Sequence, residues 1–302
     1  MKIIDAAATH ALLPYDKLAD ELRAVLHAAK TGQATAPPRL VVPLPEGGTL
    51  LLMPATDGRL GITKLVTVHP QNAARGLPSV QGEVVVFDVE TGRRLFLLDG
   101  IAVTARRTAA LSLLAAQLLA PAPADSMVIV GAGTQARSHA EAFIAGLRVQ
   151  HVYIASRTPT HAAALAAHIR TLGADADVVE SADSVLDRVT LIVTATTSSE
   201  PVLPVTLRDD SFVAAIGAYR HDMAELPPQV IHRAKVFVDT LAGTQSEAGD
   251  LIRAGVDWST VTPLEDVVDG LCVSSGPVVF KSVGHALWDL AAARVAQRAL
   301  GA

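Results

Sequence analysis

The sequence predicts an α/β protein: a doubly wound parallel sheet together with a second, β-rich domain. Two observations carry that expectation. From residue 126 onward, apolar strand-like runs alternate with helical runs, the pattern of a parallel sheet with helices on both faces. Before residue 100, strand-like runs follow one another with Gly, Pro and Asp punctuation between them. A length of 302 residues exceeds what one core usually holds, so two domains are expected. Hydrophobic residues make up 50% and charged residues 18%, which marks a well-packed globular chain and excludes a disordered one. The net charge of −5 gives no basic footprint, so nucleic acid is not an expected partner.

The elements follow in order. "LPYDKLADELRAVLHAAKTG" reads as an amphipathic helix closing at Gly32. "RLVVPLP", "GTLLLMPA", "GITKLVTVHP" and "GEVVVFDVETGRRLFLLDG" read as strands of an antiparallel or mixed sheet, with "VETG" as a hairpin turn. In "VTARRTAALSLLAAQLLA", Thr104 is placed as an N-cap, which puts Arg106 and Arg107 in the first helical turn. Cations there oppose the positive end of the helix dipole by a few tenths to about 1 kcal/mol each. Ser112 and Gln117 interrupt this apolar helix and Pro121 ends it, so no membrane span is expected. Asp5, His10 and Pro14 break the opening segment, so no signal peptide is expected. A lone Cys272 excludes an internal disulfide and points to the reducing cytoplasm.

Pro121 and Pro123 mark a hinge, after which the alternation begins. "SMVIVGAG", "HVYIAS", "TLIVTATTS", "SFVAAIGAY" and "AKVFVDT" are strands; "TQARSHAEAFIAGL" and "TPTHAAALAAHIRTLG" are helices. "FKSVGHALWDLAAARVAQRALGA" is a long final helix returning to the first domain. The expected domains are 1–120 with 277–302, and 121–276.

"VIVGAGTQA" carries Gly131, Gly133 and Ala136 in a G-x-G-x-x-G/A pattern between a strand and a helix, the context of a Rossmann dinucleotide site. Thr134 and Gln135 complete the turn. Its first Gly permits the turn, its second lets backbone approach a pyrophosphate, and the helix N-terminus attracts the charge. About 20 residues on, where an NAD site usually carries an acid for the ribose 2′-hydroxyl, the chain has Ser156, Arg157 and Thr158. A guanidinium with two hydroxyls suits a 2′-phosphate, so NADP(H) is expected over NAD(H). Thr158 and Pro159 equally read as a helix N-cap and first helical residue. Thr196, in "TATTSSEP" after a later strand, lies where ligands bind in such sheets. No metal site is predicted.

"PPRLVV", "MPA", "LGITKLVTVHP", "DGIAVTARRTAA", "VGAGTQAR", "IASRT", "AIGAYRHDMAEL" and "VVFKSVGHALWDLAAA" together resemble the ornithine cyclodeaminase/mu-crystallin family of nicotinamide-dependent enzymes. The resemblance implies a Rossmann domain inserted into a β-rich domain that binds substrate and forms a homodimer. It places Arg39, Lys64 and Arg107 on a substrate carboxylate, and Val283 and Gly284 near the nicotinamide. An anion docked at a helix start would also offset the placement of Arg107 there. For Lys64 the alternative is an edge-strand gatekeeper. Cyclodeaminases carry a catalytic Asp where this chain has Tyr219 and a Lys where it has Met223. A phenol with a pKa near ~10 does not replace a carboxylate base. The Arg220, Asp222, Met223, Glu225, Leu226 pattern is closer to the ketimine-reductase branch. That branch implies NADPH-dependent reduction of Δ1-pyrroline-2-carboxylate or Δ1-piperideine-2-carboxylate to proline or pipecolate. Lys64 or a bound water is the expected proton donor, and Asp222 or His221 either handles protons or orients a loop. Ornithine cyclodeaminase, alanine dehydrogenase, N-alkyl-amino-acid dehydrogenase and a non-catalytic NADPH-binding protein are the alternatives.

Overall fold

The computed structural model describes residues 1–121, 123–270 and 276–302. Cys272 therefore lies outside the described residues. The chain forms two compact units, residues 1–111 with 285–302 and residues 112–284.

The first unit opens with β1 (Lys2–Ile4), α1 (Ala6–Leu12) and α2 (Tyr15–Lys30). Then come β2 (Leu40–Pro43), β3 (Thr49–Thr56), β4 (Leu60–Val68), β5 (Val80–Asp88) and β6 (Arg94–Asp99), followed by α3 (Gly100–Leu119). The second unit holds β7 (Ser126–Val130), α4 (Thr134–Leu147), β8 (His151–Ala155), α5 (Pro159–Thr171), β9 (Asp175–Val179), β10 (Leu191–Thr194) and β11 (Phe212–Ala215). It continues through α6 (Pro228–Arg233), β12 (Lys235–Val238), α7 (Leu241–Glu247), α8 (Gly249–Ala254), β13 (Thr262–Pro263) and β14 (Val278–Lys281). The closing helix α9 (Ala286–Leu300) belongs to the first unit.

In the first unit the sheet order is β1-β6-β5-β4-β3-β2. Neighbours are antiparallel except β1, which runs parallel to β6. Period-two alternation buries Leu60, Ile62 and Val66 of β4 with Val84 and Val86 of β5. Helix α9 packs on this sheet, against β3, β4 and β5, and also against α2. Lys64 interrupts the apolar row of β4 on the covered face, fully buried, opposite Met53 and Val84.

Helix α3 begins earlier than the sequence suggests. Asp99, the last residue of β6, accepts from the Ala102 amide at 2.7 Å and so works as the N-cap. Thr104 lies inside the helix, its hydroxyl donating back to the Gly100 carbonyl at 2.7 Å. Arg106 and Arg107 are consequently more than a turn inside α3, beyond the reach of its N-terminal dipole. The division into compact units falls within the same helix, at Leu111/Ser112.

The second unit is a doubly wound sheet, β13-β12-β14-β11-β10-β7-β8-β9, parallel throughout its described residues. Strands β10, β11 and β14 are buried along their whole length, as continuous apolar runs require in a sheet covered on both faces. Strand β14 lies between β11 and β12; it takes Phe280 and Lys281, which the sequence reading put in the final helix, and α9 begins only at Ala286. The strand order reverses between β7 and β10, whose carboxyl ends form the switch point of the sheet.

Candidate functional site

In the second unit the site is built on the β7–α4 turn. Gly131 has φ +117°, and a Cβ there would run into the carbonyl oxygen of Ala195. Only glycine fits. A Cβ at Gly133 would meet nothing within 4 Å, so the backbone there is open to a ligand. Gly133 is also the N-cap of α4 and supplies no side-chain cap. The leading amides of α4, at Thr134, Gln135 and Ala136, are thus left for an anion. Inside the turn, His139 is fully buried. Its Nδ1 donates to the Gln135 carbonyl at 2.7 Å and its Nε2 accepts from the Ser112 hydroxyl at 2.9 Å. Burial pushes its pKa down to about 4, so it is neutral and holds this helix start in place.

At the end of β8, Ser156 is half-buried while Arg157 and Thr158 are exposed. The Thr158 amide donates to the Ser156 hydroxyl at 3.3 Å. Thr158 occupies the N-cap position of α5, with Pro159 next, but its side chain makes no capping bond. Arg157 has no hydrogen bond or ion pair with the described residues.

Three carboxylates organise the neighbouring loops: Glu225, met in the sequence only as a member of the Arg220–Leu226 pattern, and Asp250 and Asp239, which the sequence reading passed over. Buried Glu225 accepts from the Thr196 amide at 2.6 Å and hydroxyl at 2.8 Å, and from the Thr194 hydroxyl at 3.0 Å. It also takes the amides of Gly217 at 2.7 Å and Ala218 at 3.2 Å. The Thr196 hydroxyl is therefore committed to the loop itself. Asp250 takes the Glu225 and Leu226 amides on one oxygen, while Lys281 lies 2.6 Å from the other. Asp239 accepts from the Ser282 hydroxyl at 2.8 Å and from the amides of Val283 at 3.1 Å and Gly284 at 2.8 Å. Asp239 and Lys281 were visible in sequence only as charges ending apolar runs, in "VFVDT" and "VVFKS".

In the first unit, Lys64 and Arg107 meet on Asp289 of α9. Nζ of Lys64 lies 3.0 Å from Oδ1 and 2.8 Å from Oδ2, and Nε of Arg107 lies 3.2 Å from Oδ1. The side chains are 3%, 5% and 0% exposed for Lys64, Arg107 and Asp289. Nζ also donates to the Thr104 hydroxyl at 3.3 Å. Burial pulls the Lys64 pKa down to about 8; Asp289 opposes the shift, while Arg107 and Arg39 add to it by repulsion. Arg39 is half-buried just ahead of β2. What steadies Arg107 is Asp289 rather than a helix terminus. Asp289 escaped the sequence reading, although it is a lone carboxylate in the apolar run "HALWDLAAA".

Asp222 does not have a proton donor's surroundings. It is exposed, and Arg220 grips it at 3.0 and 2.9 Å. The guanidinium holds its carboxyl below the usual carboxylate range, so near neutrality it ties a loop rather than carrying a proton. Tyr219 and His221 are exposed, and Met223 is buried. Among the described residues no group of three His, Cys, Asp or Glu side chains could hold a metal ion, and no helix is long and apolar enough to cross a membrane.

Comparison with known proteins agrees with this geometry. The chain is 42% identical over 300 residues to Δ1-pyrroline-2-carboxylate reductase 1 of Burkholderia multivorans, covering 99% of this chain and 96% of that one. The structure is similar to that of Thermococcus litoralis Δ1-pyrroline-2-carboxylate reductase in complex with NADH and L-proline, with a TM-score of 0.92 and 27% identity over 100% and 98% of the two chains. It is also similar to an archaeal alanine dehydrogenase dimer with bound NAD, with a TM-score of 0.90 and 25% identity over 100% and 96%. The family profile that matches, over residues 2–301, settles the assignment: this chain belongs to the ornithine cyclodeaminase/mu-crystallin family.

Proposed function

We propose that the protein reduces the C=N bond of a small cyclic ketimine carboxylate, Δ1-pyrroline-2-carboxylate or Δ1-piperideine-2-carboxylate, to proline or pipecolate. The observation that carries this is the buried cluster in which two cations, Lys64 and Arg107, share one carboxylate, Asp289. Uncompensated positive charge in a buried site is costly unless an anion enters. A substrate carboxylate is that anion, and Arg39, Lys64 and Arg107 are assigned to it. Lys64 is the proton donor. An ammonium carries three N–H bonds; Asp289 and Thr104 take two, and the third is left for the substrate, whose carboxylate and imine nitrogen are bonded to the same carbon. A pKa of about 8 keeps Lys64 charged near neutrality yet willing to part with the proton.

The turn at Gly131 and Gly133, with the leading amides of α4, fits a dinucleotide, since the first glycine admits no Cβ and the second leaves room for a pyrophosphate. Thr134, Gln135 and Ala136 would hold the pyrophosphate, and Ser156, Arg157 and Thr158 a 2′-phosphate. Thr196, Val283 and Gly284 would line the rest. Bound there, NADPH supplies the hydride. We assign NADPH over NADH because Arg157 is exposed and, among the described residues, has no ion-pair or hydrogen-bond partner. The substrate domain is assigned to 1–120 with 277–302 and the cofactor domain to 121–276.

The working form is a cytoplasmic homodimer. On the sheet face away from α9, Leu40, Leu52 and Leu65 are register partners across three strands, and Leu40 and Leu65 are exposed. A row of exposed apolar side chains on a sheet face fits a second copy. Sedimentation as a monomer would overturn that assignment.

The functional test follows NADPH and NADH oxidation with both cyclic imines, with pyruvate plus methylamine or ammonia, and scores ammonia release from ornithine in parallel. The expected result is NADPH-dependent turnover of the cyclic imines and none of ornithine. Ornithine turnover would overturn the argument from Tyr219. Dinucleotide binding without turnover of any imine would leave a binding protein.

A further inference from the structure

A buried lysine that must charge and discharge needs something to hold it while it does so. Lys64 is placed among fixed groups. From α9 it faces Asp289; from α3 it faces Arg107 and Thr104; Arg39 contributes from ahead of β2. Its register partners on β3 and β5 are Met53 and Val84, which do not titrate. Asp289 is the one carboxylate in this set. Its Oδ1 is shared between the ammonium at 3.0 Å and the guanidinium at 3.2 Å. One oxygen therefore fixes the direction of both cations.

We propose that Asp289 is the positioning residue of the reaction, acting through Lys64: it holds the ammonium aimed and protonated beside Arg107 until the imine takes the proton. This rests on the reading that Lys64 is the donor. In the transfer the Nζ–H bond breaks, a bond forms from that hydrogen to the imine nitrogen, and the electron pair stays on Nζ. Water returns the proton afterwards. Asp289 gains and loses no atom. Its carboxylate favours the charged form of Lys64 and opposes both burial and the two guanidiniums.

The test compares wild type, D289N and D289E, using the pH dependence of kcat/KM for Δ1-pyrroline-2-carboxylate with NADPH. A second readout is the titration of the Lys64 side chain by carbon-13 NMR in the protein alone. Wild-type kcat/KM should fall with rising pH through about 8. In D289N the break should move down by about one pH unit or more, the effect of removing an opposite charge at contact distance. The Lys64 titration should move with it. D289E keeps the charge and should keep the break near its wild-type position, with a lower kcat because the carboxylate is displaced. Any break contributed by the imine is common to all three proteins. If D289N and wild type share one break and one Lys64 titration, Asp289 is only a spacer and the proposal is wrong. If D289N does not fold, D289E decides: an unchanged kcat would overturn the positioning role. If wild type reduces no imine, the functional reading fails, while the Lys64 titration still judges Asp289.

Discussion

Two regions of the molecule bury charge, and they do it in opposite ways. In the second unit, Glu225 accepts five hydrogen bonds from two loops, and Asp239 gathers three from the segment 282–284. Each carboxylate there is saturated by donors of its own neighbourhood, which suits a brace. In the first unit, Asp289 serves Lys64 and Arg107 at once, with Arg39 adding more positive charge. There the donors exceed the acceptors. Buried charge alone does not mark chemistry, since the more heavily bonded carboxylates are structural. The imbalance marks it, because a surplus of fixed cations is stable only with an anion to complete it.

Substitutions should separate the two regions, the largest effect falling on activity in the first. Lys64→Met should lower kcat/KM for the cyclic imine by about 10²- to 10⁴-fold, the usual worth of a positioned general acid, while dinucleotide affinity by fluorescence stays unchanged. Retained turnover would move the proton to another donor. Glu225→Gln should do the reverse. An amide cannot accept from all five donors, and leaving buried amides unmet costs roughly 1–3 kcal/mol each. The expected outcome is a clear fall in denaturation midpoint and a raised KM for the dinucleotide, with a smaller loss in kcat. A large loss of kcat at unchanged stability would make Glu225 part of the chemistry.

The same contrast explains what was legible in the sequence. The second unit declared itself locally: strand, glycine turn and helix are contiguous, so Gly131, Gly133 and the bounds of α4 could be read directly. The first unit's site is assembled across the sequence. Lys64 and Asp289 are 225 residues apart, and no short-range period links them. Lys64 was visible as a cation breaking an apolar strand, but its partner was only one acid in an alanine-rich helix. The start of α3 was misread because Asp99 is both the end of a strand and a helix cap, so the strand pattern hid the capping signal. Asp239, at a strand end, and Asp250, in the first turn of a short helix, are single acids with no distinguishing pattern, and Glu225 was legible only as part of the Arg220–Leu226 pattern.

The nucleotide pocket gives a smaller effect. Arg157→Ala should reduce the preference for NADPH over NADH by about 10- to 100-fold, the worth of a charge-assisted contact to a phosphate. NADH kinetics should barely change. Equal losses with both cofactors would show that Arg157 supports the loop and that the 2′-phosphate is read elsewhere.

The smallest effect concerns Arg106, which shares a helix with Arg107 and is held by different groups. Its guanidinium carbon lies 3.6 Å from the centre of the Tyr15 ring, and its Nε donates to the Leu13 carbonyl at 2.9 Å. Stacking and a directed N–H need the planar group, which lysine lacks. Arg106→Lys keeps the charge and removes both, so it should cost about 1 kcal/mol of stability and leave kcat/KM for the imine unchanged. Arg107→Lys is the control, since there the same exchange changes the geometry on Asp289 and should raise KM for the imine. If Arg106→Lys also raised that KM, the surplus of positive charge would extend along α3 beyond Arg107. The anion would then be held by a broader field than the cluster on Asp289 provides.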